Sequence, residues 1–383
     1  MKICDVVLNS IWYDPRVRRQ IAEYMRQDVQ LFCVGMRCNR YDEEKVKQIP
    51  CPVKITTISE KYCGKQKSIF GKLKREYLRI AAIRDAIIEQ NPDIIHANDL
   101  NALIPAYLAK RKLKCRLIFD SHEVWVENFF QKKQNAYAKM LEIVERFLVK
   151  RIDLMVCVSH AAASYFKEKY NITMPMVVTN CALQSDRAAA KDRAKTEGFE
   201  VINHGQFYEG RGYDIMAKAC ELIKDYPEIH LAIRGFGKLE ESLRNTVSQC
   251  SNPEQFIFYP KVAVQELIPL AARSHVGVAI TEPICLNFKL SVSNKLFEYA
   301  AAGLPVILSD IPEHRYLNEK YDFGLVLKED TPQALADAVI TLYQDKALYD
   351  RLARNAVRLS DEVNWENEFA KLIETEKGWM NNK

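Results

Sequence analysis

The chain has 383 residues, 48% apolar and 27% charged, so it is too long for one average domain and apolar enough for sizeable cores; two domains are expected and wholesale disorder is excluded. Its net charge of +5 conceals an asymmetry, with 31 Lys and Arg against 20 Asp and Glu in residues 1–180 and 24 against 30 in the remainder, so the first half favours anionic partners such as acidic headgroups or phosphorylated groups. Eleven scattered cysteines without a C-x-x-C pair argue against a disulfide framework and a zinc site, and no signal-like or membrane-length apolar run and no zinc-finger, RNP-type or helix-turn-helix signature is present, which predicts a cytoplasmic protein without nucleic acid as a partner.

In chain order, short β-rich runs alternate with helical patterns. Residues 3–8, 30–34, 93–96, 116–119, 154–158 and 176–179 form the first series. Residues 182–199, ALQSDRAAAKDRAKTEGF, lose the apolar periodicity and read as a linker. A second series follows at 201–203, 230–233, 255–259, 276–280, 305–308 and 324–327. The pattern predicts an α/β protein of two doubly wound, Rossmann-like domains, 1–181 and 200–363, facing each other across a cleft. A last helix, about 365–379, follows a domain that already looks complete, and the segment 364–383 is expected to return to the first domain. In such sheets ligands bind outside the carboxyl ends of the strands, so functional residues are sought just after each run.

At the amino terminus, NSIWYDPRVRRQ sets Asp14, Arg16 and Arg18 where the first strand passes into the first helix, without the glycine-rich loop of a dinucleotide-binding protein. Arg16 and Arg18 read either as anion contacts or as solvated cations. The basic stretch 61–79, KYCGKQKSIFGKLKREYLR, interleaves Lys with Tyr62, Ile69, Phe70 and Leu73; it reads as a contact with an anionic membrane or as a solvated helix face. IIHAND and LIFDSHE both end apolar strands in clusters of acid and histidine; His96, Asn98, Asp99, Asp120, His122 and Glu123 read as side chains projecting into one cleft or, for any one of them, as a capped turn around a packed histidine.

In the second half, HGQFYEGRG carries Gly205, Gln206 and Arg211 in a strand-to-helix loop able to hold a phosphate on an arginine fork. IRGFG places Arg234, Gly235 and Gly237 after a strand, where glycine permits close backbone approach to a ligand. In NFKLSVSNKLFEYAAAGLPVI, Ser293 is a candidate N-cap, Gly303 closes the helix, and Asn294 and Lys295 stand in its first turn as a diphosphate site. Glu298, one turn on, is placed to accept hydrogen bonds from ribose hydroxyls.

These pieces, with the Asp14-x-Arg16-Val17-x-Arg19 opening and the Arg151-x-Asp153 strand entry ending in VSHAA, resemble the family 4 glycosyltransferases over nearly the whole chain. The resemblance implies a GT-B fold, a UDP- or GDP-sugar donor on the carboxyl-terminal domain, a glycan or lipid-linked acceptor on the amino-terminal one, and hexosyl or N-acetylhexosaminyl transfer with retention of configuration. It implies neither a metal nor a cofactor, and the sequence contains no D-x-D triplet. It assigns His122, Asp14 and Glu123 to catalysis; Arg16, Arg18, His96, Asn98 and Asp99 to the acceptor; and Gly205, Gln206, Arg211, Arg234, Gly235, Lys261, Asn287, Lys289, Ser293, Asn294, Lys295 and Glu298 to the donor. Two departures stand out: Gln206 occupies a position where many relatives carry arginine, and Leu290 the position of the first glutamate of the family's paired-glutamate signature, for which Asn287 or Lys289 could substitute. A surface-polysaccharide or lipopolysaccharide pathway, at the inner face of a membrane, is the expected setting. The competing readings are a nucleotide-sugar epimerase of the same architecture and a non-catalytic nucleotide-sugar-binding protein.

Overall fold

The computed structural model describes residues 1–39, 41–58, 68–127 and 135–381. The chain separates into two compact units, one made of Met1–Val178 together with Phe369–Lys383, the other of Thr179–Glu368.

The first unit runs β1 (Lys2–Val6), α1 (Pro15–Met25), β2 (Gln30–Met36), α2 (Glu43–Lys47), β3 (Val53–Thr56), α3 (Ile69–Gln90), β4 (Ile94–Asn98), α4 (Asp99–Lys110), β5 (Arg116–Ser121), α5 (Asn135–Leu148), β6 (Leu154–Cys157), α6 (His160–Tyr170) and β7 (Met176–Val177). Its strands pair in parallel in the order β3-β2-β1-β4-β5-β6-β7. β4 is buried throughout and β5 from Leu117 on, which is why both read as apolar runs rather than as alternating patterns. The strand order reverses between β1 and β4, and this topological switch point opens a crevice at the carboxyl ends of those strands.

The second unit begins with α7 (Gln184–Ala190) and continues β8 (Phe199–Gln206), α8 (Tyr213–Ala219), β9 (Ile229–Phe236), α9 (Glu240–Ser248), β10 (Phe256–Tyr259), α10 (Val264–Ala271), β11 (Val276–Ala279), α11 (Leu286–Leu290), α12 (Asn294–Ala301), β12 (Val306–Ser309), α13 (Pro312–Tyr321), β13 (Gly324–Leu327), α14 (Pro332–Gln344), α15 (Lys346–Glu362) and the start of α16 (Trp365–Asn381). Its six strands are again parallel, in the order β10-β9-β8-β11-β12-β13, with the reversal between β8 and β11.

Two departures from the sequence reading have local causes. Residues 182–199 do not form a free linker. The Asp186 carboxylate accepts from Leu183 N at 3.1 Å and starts α7, Arg187 pairs with Asp361 at 2.6 Å, and Lys195 Nζ donates to the carbonyls of Ala272 and Ser274 at 3.0 and 2.6 Å. The segment is thereby fastened along the second unit. Strand β3 escapes a search for apolar runs because VKIT lies at the sheet edge with only Thr56 buried. From Phe369 onward, α16 belongs to the first unit, where the Phe369 ring meets Tyr24 edge-on at 5.1 Å.

Candidate active site

In the first unit the switch point carries a buried polar network. Asp14 is the N-cap of α1, its Oδ1 accepting from Arg16 N and Val17 N at 3.1 Å, and this turn directs Arg16 inward. The Arg16 guanidinium is 3% exposed and forms a two-pronged pair with Asp120, Nε to Oδ2 at 2.9 Å and Nη2 to Oδ1 at 3.0 Å, while Nη1 donates to the Val178 carbonyl at 3.0 Å. Arg16 is therefore neither a solvated cation nor an acceptor contact; its fork is committed to the core. Arg18 is exposed and lies over the Trp12 ring, 4.4 Å from the centroid.

His96 is also corrected. It is fully buried, with Nδ1 at 3.0 Å from the Tyr24 hydroxyl and Nε2 at 3.4 Å from Asp120 Oδ2, because β4 lies at the centre of the sheet and its side chain points under α1. The Tyr24 hydroxyl in turn donates to Glu376 Oε1 at 2.6 Å. Asn98 is buried as well, and it works from beneath: Nδ2 donates to Asp5 Oδ1 at 2.5 Å and Oδ1 faces His122 Nε2 at 3.1 Å.

His122 follows β5 directly, and its side chain is 15% exposed. Its backbone N–H donates to Asp99 Oδ1 at 3.1 Å, and its Nδ1 lies 3.6 Å from Asp99 Oδ2 and 4.0 Å from Asp14 Oδ2. Asp99 holds this place with a left-handed backbone, φ 65°, an uncommon conformation for a side-chain-bearing residue and one that recurs at functional sites. Burial alone would lower the imidazole pKa, but the carboxylates of Asp99 and Asp120 outweigh it and raise it to about 9. His122 is thus an imidazolium at neutral pH, with a proton on each ring nitrogen, and the charge is lost only as pH rises through about 9. Glu123, the next residue, is exposed.

In the second unit the switch point gathers a different set. Asn203, near the end of β8, bridges two elements: its Nδ2 donates to the Arg211 carbonyl at 3.2 Å and its Oδ1 accepts from Lys295 Nζ at 2.7 Å. His204 Nε2 meets Glu298 Oε2 at 2.7 Å, and the backbone N–H of His204 donates to the Tyr299 hydroxyl at 2.9 Å. Arg211 lies over the Phe288 ring, 4.1 Å from its centroid, with Nη1 at 3.4 Å from Thr281 Oγ1. Burial, together with the nearby Arg211 charge, lowers the Lys295 pKa to about 7, Glu298 opposing in part. The two cations repel, and a bound polyanion would relieve that repulsion.

Ser293 is the N-cap of α12, although its side chain makes no capping hydrogen bond; Asn294 is exposed beside it. Gln206, Lys261 and Lys289 are exposed, Lys261 lying 5.3 Å from the Phe236 ring centroid, and Asn287 is partly buried on α11. Arg234 is held over the Tyr259 ring at 4.4 Å. The glycines of the two strand-end turns have a cause other than a ligand. A Cβ on Gly235 would stand 1.8 Å from the Gly205 carbonyl oxygen, and one on Gly237 would stand 2.5 Å from that of Phe207. Close approach of β8 and β9 therefore accounts for these glycines. Sequence reasoning missed Asn203 and His204, the partners of Lys295 and Glu298, although both sit in the strand that leads into the Arg211 loop; it also missed Gln20, Tyr24 and Glu376, which lack any motif.

Both halves match family models. Residues 16–187 match the one described as Glycosyltransferase Family 4, and residues 184–358 the one described as Glycosyl transferases group 1. The protein belongs to the family 4 glycosyltransferases. This glycosyltransferase is 22% identical over 312 residues to an uncharacterized glycosyltransferase of Haemophilus influenzae, covering 80% of this chain and 81% of the relative. Among solved structures it resembles Anabaena Alr3699/HepE in complex with UDP (TM-score 0.75, 16% identity, 99% of this chain and 100% of that one). It equally resembles sucrose-phosphate synthase of Thermosynechococcus elongatus (TM-score 0.75, 13% identity, 100% of both chains). At these identities the likeness shows the fold. Among the described residues no helix of this glycosyltransferase is long and apolar enough to cross a membrane.

Proposed function

We propose that the protein transfers a hexosyl or N-acetylhexosaminyl group from a UDP- or GDP-sugar to a glycan or lipid-linked acceptor, with retention of configuration, in the synthesis of a cell-surface polysaccharide or lipopolysaccharide. The observation that carries this reading is the Arg211–Lys295 pair at the switch point of the second sheet, with Glu298 one helical turn beyond Lys295. The Anabaena protein of the same fold is described in complexes with UDP and with UDP-glucose, which supports a nucleotide-diphosphate donor on this unit.

In the proposed reaction the bond between the anomeric carbon and the phosphate oxygen breaks, the bond to the acceptor oxygen forms on the same face, and the acceptor proton passes to the departing phosphate. Negative charge grows on the diphosphate, and Arg211, Lys295 and the N–H groups at the start of α12 are assigned to receive it. Glu298 is assigned to the ribose hydroxyls. His122, charged at neutral pH, serves as a hydrogen-bond donor to substrate rather than as a general base, with Asp14 and Asp99 holding its ring. Asn98 and Arg16 position this group from below, and the basic stretch 61–79, whose residues 61–67 lie outside the described residues, is assigned to an anionic membrane carrying the acceptor.

The test is a nucleotide and nucleotide-sugar screen by thermal shift and calorimetry, followed by transfer assays on the donor that binds. Arg211→Ala is expected to lower turnover by about 2.7 to 4 kcal/mol of barrier, the range for loss of one preorganised anion contact. Unchanged turnover in that variant would remove the diphosphate assignment, and conversion of the donor into an epimeric nucleotide sugar without acceptor would point to an epimerase instead.

A further inference from the structure

The described cysteines are all free thiols, and the fold of the first unit brings together two that lie 18 positions apart in sequence. Cys33, in the middle of β2, is 1% exposed, whereas Cys51, two residues before β3, is partly exposed. The pairing of the two strands already operates there, since Cys33 N donates to the Pro52 carbonyl at 2.9 Å. Val53 is the register partner of Cys33, and Cys51, two positions earlier, falls on the same side of the pleat. The two sulfurs are 3.4 Å apart, and among the described residues neither thiol has another hydrogen-bond partner. Cys220 and Cys250 also approach each other, but there each thiol donates to a backbone carbonyl, that of Asn252 at 3.5 Å and that of Thr246 at 3.7 Å.

We propose that Cys33 and Cys51 are a redox modification site, at which hydrogen peroxide converts the two thiols into a reversible disulfide that fastens the edge strand β3 to β2. A disulfide holds its sulfurs at about 2.05 Å, so closure asks for an approach of roughly 1.4 Å, within reach of side-chain torsions. Cys51, the thiol with access to solvent, takes the first step: its sulfur attacks the peroxide, the O–O bond breaks, and a sulfenic acid and one water form. The Cys33 sulfur then attacks that of Cys51, the S–O bond breaks, and hydroxide leaves with the Cys33 proton as a second water. The two thiols give up two electrons and two protons, and the peroxide takes up both. The hydrogen bond to Cys51, and then burial, hold the Cys33 thiol well above the usual thiol range, so it stays protonated until its neighbour is oxidised.

The strands that the bridge joins also support the loop between β1 and α1. A Cβ on Gly35, two residues beyond Cys33, would stand 2.7 Å from the Asn9 carbonyl oxygen, and Met36 N donates to that same oxygen at 2.9 Å. Thr56 of β3 donates to the Gly35 carbonyl at 3.1 Å from the other side. The supported loop carries Ile11 at φ 64°, a strained backbone for a β-branched residue, and ends at Asp14, the N-cap of α1. Oxidation therefore stiffens the footing of Asp14, and the inference stands whether or not the sugar-transfer reading does.

The experiment exposes the reduced full chain to stoichiometric hydrogen peroxide, stops the reaction with an alkylating agent in denaturant, and maps the thiols by peptide mass spectrometry. Expected is a first bridge joining Cys33 to Cys51, reversed by dithiothreitol, with the thermal midpoint of the first unit raised by roughly 5 to 10 °C and amide exchange in β3 slowed. Cys51→Ser is expected to form no bridge at Cys33 and to show no such rise on oxidation, whereas Cys250→Ser closes the Cys33–Cys51 bridge as the wild type does. Reduced midpoints matching the wild type certify that both variants fold; should Cys51→Ser fail to, the wild-type map decides alone. A different cysteine pair closing first, oxidation that halts at a sulfinic acid on Cys51, or a Cys33–Cys51 bridge that forms only in denaturant overturns the proposal.

Discussion

Lys295 combines three features seldom found together in a surface lysine: a hydrogen bond to Asn203, a neighbouring guanidinium, and a pKa brought down to about 7 by burial and by that guanidinium. A base whose pKa is depressed is neutral above that value, so at pH 8 the free protein carries mostly uncharged amine. Binding a diphosphate restores the charged form and must take up a proton there. Calorimetry of the preferred nucleoside diphosphate at pH 8, in buffers of different ionisation enthalpy, is expected to report uptake approaching about one proton per site, with affinity falling as pH rises above about 7. Lys295→Met should abolish the uptake; an uptake that persists in this variant assigns it to another group. The sequence announced Lys295 through its place behind a capping serine, and Arg211 through its loop. It did not announce that Arg16 is a core residue, because burial of a charged group depends on which strand ends lie beside it. Arg16 is brought to Asp120, 104 residues away, only by the parallel order of the sheet.

At the scale of elements, most strands were legible as apolar runs, since strands covered on both faces need no alternation. The exceptions are informative: β3 is too polar at the edge to register, and α7 consists largely of small and polar residues whose helix is held by Asp186 and by packing partners distant in sequence. The pairing of β8 with β9 gives the sharpest expectation here. Gly235, at φ 149°, leaves no space for a side chain against the Gly205 carbonyl, so Gly235→Ala forces the two strand ends apart. Its cost is expected to exceed about 1 kcal/mol in urea unfolding, with nucleotide affinity reduced because Asn203 and His204 lie on the displaced strand. An alanine variant of unchanged stability and affinity would show that the turn has slack that the backbone geometry denies.

For the whole chain, the governing fact is that the first unit is made of two pieces. Phe369, Leu372 and Ile373 are almost fully buried, and Glu376 receives the Tyr24 hydroxyl. Each such apolar side chain contributes about 1.5–3 kcal/mol of burial, against a total stability of about 5–15 kcal/mol for an ordinary domain. Deleting residues from Phe369 onward is therefore expected to leave the second unit folded while the first loses cooperative unfolding, read as lost amide-exchange protection in β1 and α1. Equal protection with and without the segment would show that the first 178 residues suffice.

The same division sets an order of events during synthesis. A ribosome releases β1 to β7 early, yet the piece that packs against Tyr24 is translated only after the whole second unit has emerged. The nascent first half must wait with that flank open, so the half made first is the half finished last, and a transcript cut short anywhere before Phe369 yields no completed copy of it.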